Sequence, residues 1–363
     1  MFRSSKRALG MAGAAVVALG LVAAGCGGGG GGGGPKIALL LPENKTARYE
    51  TQDRPLFEKQ VKKECPKCSV LYSNATQDPA KQQSQAEAAL TQGAKVLVLD
   101  AVDAASADVI VKRANAQKVP VLAYDRLIPN ANIDAYVSFD NVRVGKLQAT
   151  SLAQRLKSAG QASPTITMIN GAPTDNNAKL FKQGALSVFS TSGVKIGKQF
   201  DTPDWSPDKA QNEMQQAITA LGNNGFQGVY AANDGTAGGA IAAMTSAGIQ
   251  PATRPTTGQD AELAAVQRIL AGQQFMTVYK AVKLEAPDAG TIAVALAKGQ
   301  KPPTPPINGT TNNGQKNVPS TILTPVAVTK SNIAGTIVKD GFWTASQICT
   351  SAFAAACKAN GIS

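Results

Sequence analysis

The chain has 363 residues, with 36 Lys and Arg against 24 Asp and Glu, a formal net charge of +12 and no histidine. Without histidine, Ser-His-Asp and Cys-His catalysis and the usual zinc sites are excluded. The positive charges are scattered among acids and polar residues with no block of like charge and only 5% aromatic content. That pattern describes a solvated surface, not a nucleic-acid stripe.

Taken in chain order, the first element is a leader. Arg3, Lys6 and Arg7 precede an apolar stretch over 8–24 that closes in "LVAAGC". A basic head, an apolar body and small exit residues make residues 1–25 an export signal. Its end resembles a bacterial lipoprotein signal, in which the cysteine, here Cys26, becomes the lipidated first residue of the mature chain. Ala23 stands where such signals usually carry a larger aliphatic, and a plain secreted protein with a free Cys26 is the alternative. Loss of the leader removes three bases, so 33 basic residues face 24 acids, a net +9. Gly27 to Gly34 has no side chain to pack and behaves as a flexible coil with an r.m.s. reach of roughly 15 Å. Residues 26–35 are therefore expected to tether a folded domain to the cell envelope.

From Lys36 onward, apolar runs rich in Val, Ile and Leu alternate with longer segments of helical spacing. The runs are "KIALLL", "SVLYS", "KVLVLD", "VPVLAYD", "AYVSFD", "TITMING", "VKIGKQF", "GVYAAND" and "MTVYK". Runs this apolar are expected to be parallel strands covered by helices on both faces, an α/β doubly wound fold. Roughly 330 residues of this pattern exceed one ordinary sheet, so two similar lobes are expected. A strand ends and a long helix begins near Asn141 to Gly145, which places the division there. A further helix follows Lys280, then "KPPTPP", a polar loop and a last strand "TILTPVAV", so the chain crosses between lobes more than once. The expected lobes are 36–143 with 281–308, and 144–280 with 309–363.

Four cysteines follow Cys26: Cys65 and Cys68 in "CPKC", and Cys349 and Cys357 near the C-terminus. An even number in an exported chain favours disulfides; three pairings are possible, and the two local ones are favoured. A redox CxxC wants a helix start after a strand, whereas "KKECPKCSVLYS" reads as a helix end, a turn and a strand.

Ligands of parallel α/β sheets bind beyond the carboxyl ends of the strands. The strand ends here carry Asp125 and Arg126, Asp140 and Asn141, Asp175 to Asn177, Asn233 and Asp234, Gln259 and Asp260, and Lys280. The first strand-to-helix loop supplies Arg48 and Tyr49. Any one Asp or Asn could be a helix cap, and Asp140 and Asp234 read as plain caps. Six such ends in both lobes instead suggest one polar cleft. Carboxylates, amides and cations together suit a sugar, whose hydroxyls donate and accept, while its C–H faces stack on rings such as Tyr49 and Trp205. Phe139 and Phe181 read as core.

At "LAYDR", "SFDN", "DNNAKLF", "NDGTAGGA", "GQDAEL" and "MTVYK" the chain resembles the periplasmic xylose-binding proteins of bacterial ABC importers, within the ribose- and glucose/galactose-binding superfamily. The resemblance runs from about Lys36 to Phe342. It implies the type I periplasmic binding protein fold, with a multi-crossover hinge that closes on a monosaccharide. It implies hydrogen-bonding roles for Arg48, Arg126, Asp175, Asn177, Asn233, Asp260 and Lys280, and stacking roles for Tyr49 and Trp205. Tyr49 stands where the xylose binders commonly carry Trp, which leaves other aldoses such as glucose, ribose or arabinose open. No cofactor or metal is implied; the implied partners are a sugar and the permease subunits, with the protein a monomer held at the membrane by its lipid.

A glycoside-acting enzyme built on Asp175 and Asp260 is the rival reading, but it needs one acid that keeps its proton, and neighbouring Arg, Lys and Asn favour ionised acids. A sugar-responsive transcription regulator of the same fold would carry a helix-turn-helix before the first strand, where this chain has the leader and its glycines. "NDGTAGGA" lacks the G-x-G-x-x-G spacing of a dinucleotide site, so its glycines read as close helix packing. "DTPDWSPDKAQNE" lacks the central Gly of a calcium loop.

Overall fold

The computed structural model describes residues 33–362. The leader, Cys26 and most of the glycine tether lie outside the described residues.

The first apolar run, β1 (Lys36–Leu41), is buried after its first residue and sits between two parallel neighbours, β2 (Ser69–Asn74) and β3 (Ala94–Leu99). The layer continues in parallel through β4 (Val121–Tyr124) and β5 (Ala135–Phe139). Helices α1 (Arg54–Glu64) and α9 (Val282–Ala297) cover one face, where Phe57, Val61, Ala289 and Ile292 meet Leu39, Val96 and Val98. Helices α2 (Pro79–Thr91) and α3 (Asp108–Ala116) cover the other, packing Leu90, Ile110 and Val111 on Leu40, Leu97 and Leu99. With both faces dry, the strands show continuous apolar runs rather than alternation.

The second layer is built the same way. β6 (Thr165–Asn170) lies between β7 (Lys195–Asp201) and β8 (Gly228–Ala231), all parallel. A parallel bridge from Val229 to Thr256, then Phe275 N donating to Thr256 O and Val278 N to Gly258 O, carries the layer to β9 (Met276–Tyr279). Helices α4 (Asn141–Ser158) and α5 (Asn176–Ser192) cover one face, and α6 (Pro207–Leu221) and α7 (Asp234–Ser246) the other. A Cβ on Gly239 would lie 2.1 Å from Pro207 O, so the glycines of "NDGTAGGA" allow α7 to approach α6. Strand order 2-1-3-4-5 thus occurs twice, which is the doubly wound, two-lobed architecture expected.

The lobe boundary near the C-terminus differs from expectation. α9 packs on α1 and β3, with the first lobe. The polar loop that follows is a hairpin of β10 (Gly309–Asn312) and β11 (Asn317–Leu323), and β11 runs parallel to β5, Ser320 opposite Tyr136 and Leu323 opposite Phe139. Residues 309–323 therefore complete the first sheet, not the second. The segment "TILTPVAV" is split between the sheets. Pro325 has no N–H to continue the ladder, and β12 (Val326–Thr329) pairs antiparallel with β9 instead.

Beyond β12, short turns lead to α10 (Ala345–Ile348), where Gln267 of α8 (Leu263–Leu270) donates to Ile348 O at 3.2 Å. Cys65 is bonded to Cys68, and Cys349 to Cys357.

Candidate functional site

The carboxyl ends of both sheets face one cavity. Its walls carry Arg48, Tyr49, Arg126, Asp175, Asn177, Trp205, Asn233, Asp260 and Lys280. All nine residues singled out in the sequence are brought together.

Arg48 lies just before the π-turn Tyr49–Asp53 and is almost wholly buried. Its Nε and Nη2 donate to Asp53 at 2.9 and 2.6 Å, and Nη2 also to Glu285 of α9 at 2.5 Å. These bonds fix the guanidinium plane and leave Nη1 directed between Asp125, at 3.6 Å, and Asp260, at 3.9 Å. Arg126 is held alike: Nη1 donates to Ala101 O at 3.1 Å, Nη2 to Tyr49 Oη at 3.3 Å, and Nε lies 3.0 Å from Asp175 and 3.4 Å from Asp100. Lys280 follows β9, its Nζ 3.3 Å from Asp260 and 3.6 Å from Asp125.

Asp175 caps α5, accepting from Asn177 N at 2.7 Å, and its second oxygen accepts from Trp205 Nε1 at 3.0 Å. Asn177 donates to Asp125 O at 3.0 Å and accepts from Asn141 at 2.9 Å, tying the second lobe to the first. Asn233 caps α7, with its Oδ1 accepting from Thr236 N at 2.9 Å.

Burial makes every one of these charges expensive unless paired. Burial pushes the Asp125 carboxyl up, but Lys280, Arg48 and Arg126 together outweigh it and bring it to about 2. Burial pulls Lys280 down, and Asp125 and Asp260 more than restore it, so it carries its charge. Behind the wall the balance reverses. Burial lifts Asp100 and Glu285 well above the usual carboxylate range despite Arg126 and Arg48. Facing inward, Arg48 Nη1, Asp125 Oδ1, Asp260 Oδ1 and Gln259 Oε1 have no hydrogen-bond partner among the described residues. The cavity thus presents polar donors and acceptors with unused capacity, held rigid from behind.

A family model described as "Periplasmic binding protein domain" matches residues 37–301. The chain belongs to the periplasmic binding protein family. This periplasmic binding protein is 39% identical over 317 residues to the D-xylose-binding periplasmic protein of Escherichia coli, covering 86% of this chain and 92% of that one. It is 36% identical over 287 residues to a multiple sugar-binding periplasmic receptor of Rhizobium radiobacter, covering 75% and 81%. Among solved structures it is similar to an ABC transporter solute binding protein from Clostridium phytofermentans with bound β-D-glucose, at a TM-score of 0.77 and 28% identity over 86% of this chain and 99% of that one. A carbohydrate transporter solute binding protein from Chloroflexus aurantiacus, in complex with D-glucose, gives a TM-score of 0.76 at 30% identity, covering 86% and 97%. The family consists of extracytoplasmic binding proteins, and this member is not an enzyme.

Of the binding protein's cavity wall, sequence reasoning missed Thr46, read Phe181 as core only, and named Asp125 and Gln259 at strand ends without giving them a ligand-binding role. Phe181 belongs to the α4–α5 core and also reaches the cavity. Asp125 had a visible signal, its place beside Arg126 at a strand end; its φ of +53° turns the carboxylate inward. Asp140 does cap α4, accepting from Arg143 N at 3.0 Å. Asp234 is not a cap: Asn233 has the extended backbone and the capping oxygen, while Asp234 already lies inside the helix. The Asp234 carboxylate instead accepts from Gln274 at 2.7 Å, Thr277 at 2.9 Å and Glu262 N at 3.0 Å.

Proposed function

We propose that this chain is the substrate-binding lipoprotein of a sugar ABC importer and that it holds one monosaccharide, D-xylose first among the aldoses, between its lobes. The observation that carries this reading is the cavity: cations, carboxylates and amides from both sheets end in one space, several with polar atoms that have no partner among the described residues. Sugar hydroxyls supply both donors and acceptors for such atoms. Tyr49 and Trp205 offer ring faces on the same wall. D-xylose is favoured by the 39% identity to the E. coli D-xylose-binding protein; glucose is the second reading, favoured by the glucose-bound neighbours.

Binding follows a hinge closure. Sugar bridges the lobes and stabilises the closed state by the difference in its contacts with each state. Closure desolvates the charged hydrogen bonds and forms the surface offered to the permease. The mature protein is a monomer, anchored through lipidated Cys26 and reaching from the membrane on its glycine tether.

A thermal-shift screen with xylose, glucose, ribose, arabinose and galactose, followed by calorimetry, tests this. Micromolar affinity, about 8 kcal/mol, is expected for at least one of them. Asp260→Ala and Arg126→Ala each lower it at least tenfold in a protein that still folds. No shift with any of the five sugars refutes the substrate class.

A further inference from the structure

Asp260 and Ala261 follow one another with φ of +90° and +51°. Neither is glycine, and this region is disfavoured for side-chain-bearing residues. Something must hold the pair there, because Asp260 faces Lys280 at 3.3 Å across the cavity. Three restraints come from the lobe itself: Asp260 N donates to Val278 O at 2.9 Å, Ala261 N to Thr277 Oγ1 at 3.2 Å, and Glu262 N to Asp234 at 3.0 Å.

The fourth comes from outside the residues matched by the family model, which end at 301. Trp343 reaches back 82 positions and donates its indole Nε1–H to Ala261 O at 2.7 Å. Ala261 is fully buried, so its carbonyl would otherwise lose this bond without gaining water. The same short segment touches the other half of the pair. Phe342 packs edge-on to Tyr279, centroids 5.1 Å apart, and Trp343 stands edge-on to Phe342 at 5.4 Å. Tyr279 Oη donates to Asp340 at 3.0 Å, and Asp340 pairs with Lys283 at 2.8 Å. Tyr279 immediately precedes Lys280.

We propose that the C-terminal segment Asp340–Trp343 is a positioning element of the binding site, with Trp343 holding the strained Asp260 turn and Phe342 and Asp340 holding the base of Lys280. This inference rests on the monosaccharide reading above. None of the segment's residues touches the cavity; they act through Ala261 and Tyr279.

The test is Trp343→Phe in the full chain, which keeps a ring against Phe342 and removes the N–H donor together with part of the indole's volume. Expected are a loss of about 5- to 10-fold in affinity for whichever of the five aldoses the unaltered protein binds best and faster amide exchange at residues 260–262 without sugar. The chain has two tryptophans, so the indole N–H resonance missing from the variant is that of Trp343. In the unaltered protein that resonance should move when sugar is added. Unchanged affinity with an unmoved resonance overturns the proposal. Lower affinity with unchanged exchange at 260–262 also overturns it, since the effect would not pass through the turn. If the unaltered protein binds none of the five sugars, the monosaccharide reading fails, and the exchange comparison on sugar-free protein still decides whether Trp343 holds the turn. Should Trp343→Phe not fold, Asp340→Asn tests the other half of the segment, which acts through Tyr279: lower sugar affinity with faster amide exchange at 278–280 is expected, and unchanged affinity and exchange there overturn the proposal.

Discussion

Gly171 immediately follows β6 and lies against the Trp205 indole, and Gly171→Ala probes how closely that ring is placed. A Cβ there would lie 1.9 Å from Cη2, 2.3 Å from Cζ2 and 2.4 Å from Cζ3 of Trp205. Ordinary contact begins at 3.4 Å, so the ring must retreat by 3.4 less 1.9, about 1.5 Å. It has little freedom to do so. Asp204 and Trp205 already carry φ of +60° and +54°, and Nε1 is bound to Asp175, which is ion-paired with Arg126 at 3.0 Å. A shift of that size breaks the indole bond to a carboxylate, about 1.5–3 kcal/mol. Crowding removes a further 1–3 kcal/mol or so of stability. If only the first term reaches the ligand, affinity falls about 10- to 150-fold. Calorimetry would measure the affinity, a sugar-free melt the stability, and near-ultraviolet circular dichroism the indole environment. Unchanged affinity in a protein whose indole signal has changed would refute the reasoning, because Trp205 would then have moved without consequence for binding.

Asp125→Asn keeps a residue that tolerates a positive φ but removes the charge facing Lys280 and Arg48. Denaturant unfolding should show a loss of about 3–5 kcal/mol, as expected when one partner of a buried ion cluster is removed. The pH dependence of stability should have two limbs. Burial raises Asp234 to about 7, so the folded state takes up a proton that the unfolded chain does not, and stability rises as pH falls from about 8 towards 4. Asp125, held near 2, acts oppositely: its contribution is complete above about 4 and is lost as pH falls through 2. Glu262 and Asp288, which burial raises to about 8 and about 6, act in the same direction, so melts of Asp234→Asn should show a weaker first limb than the unaltered protein and keep the second. Cys65→Ser with Cys68→Ser opens a loop with a sequence separation of only 3; melts should show less than about 3 kcal/mol of destabilisation, and calorimetry an affinity within twofold, since neither cysteine approaches the cavity.

What could be read along the chain was what is encoded locally. Continuous Val, Ile and Leu runs imply strands dry on both faces, and polar residues just past such runs lie at the carboxyl edge of a parallel layer whatever the rest of the fold does. Hence Arg126, Asp175, Asn233, Asp260 and Lys280 are legible as one site from the sequence alone. What lay beyond reach depends on partners distant in sequence. Arg48 is aimed by Glu285, 237 positions away, and the Asp260 turn is held by Trp343. Nothing near Asp234 in the chain separates a capping carboxylate from one that fixes a loop through Gln274 and Thr277. The placement of residues 309–323 was decided by an open edge on β5, a property of the assembled sheet. Burial preference is a property of a residue and its neighbours, whereas the direction of a charged side chain is set by whichever opposite charge the folded chain brings within a few ångströms.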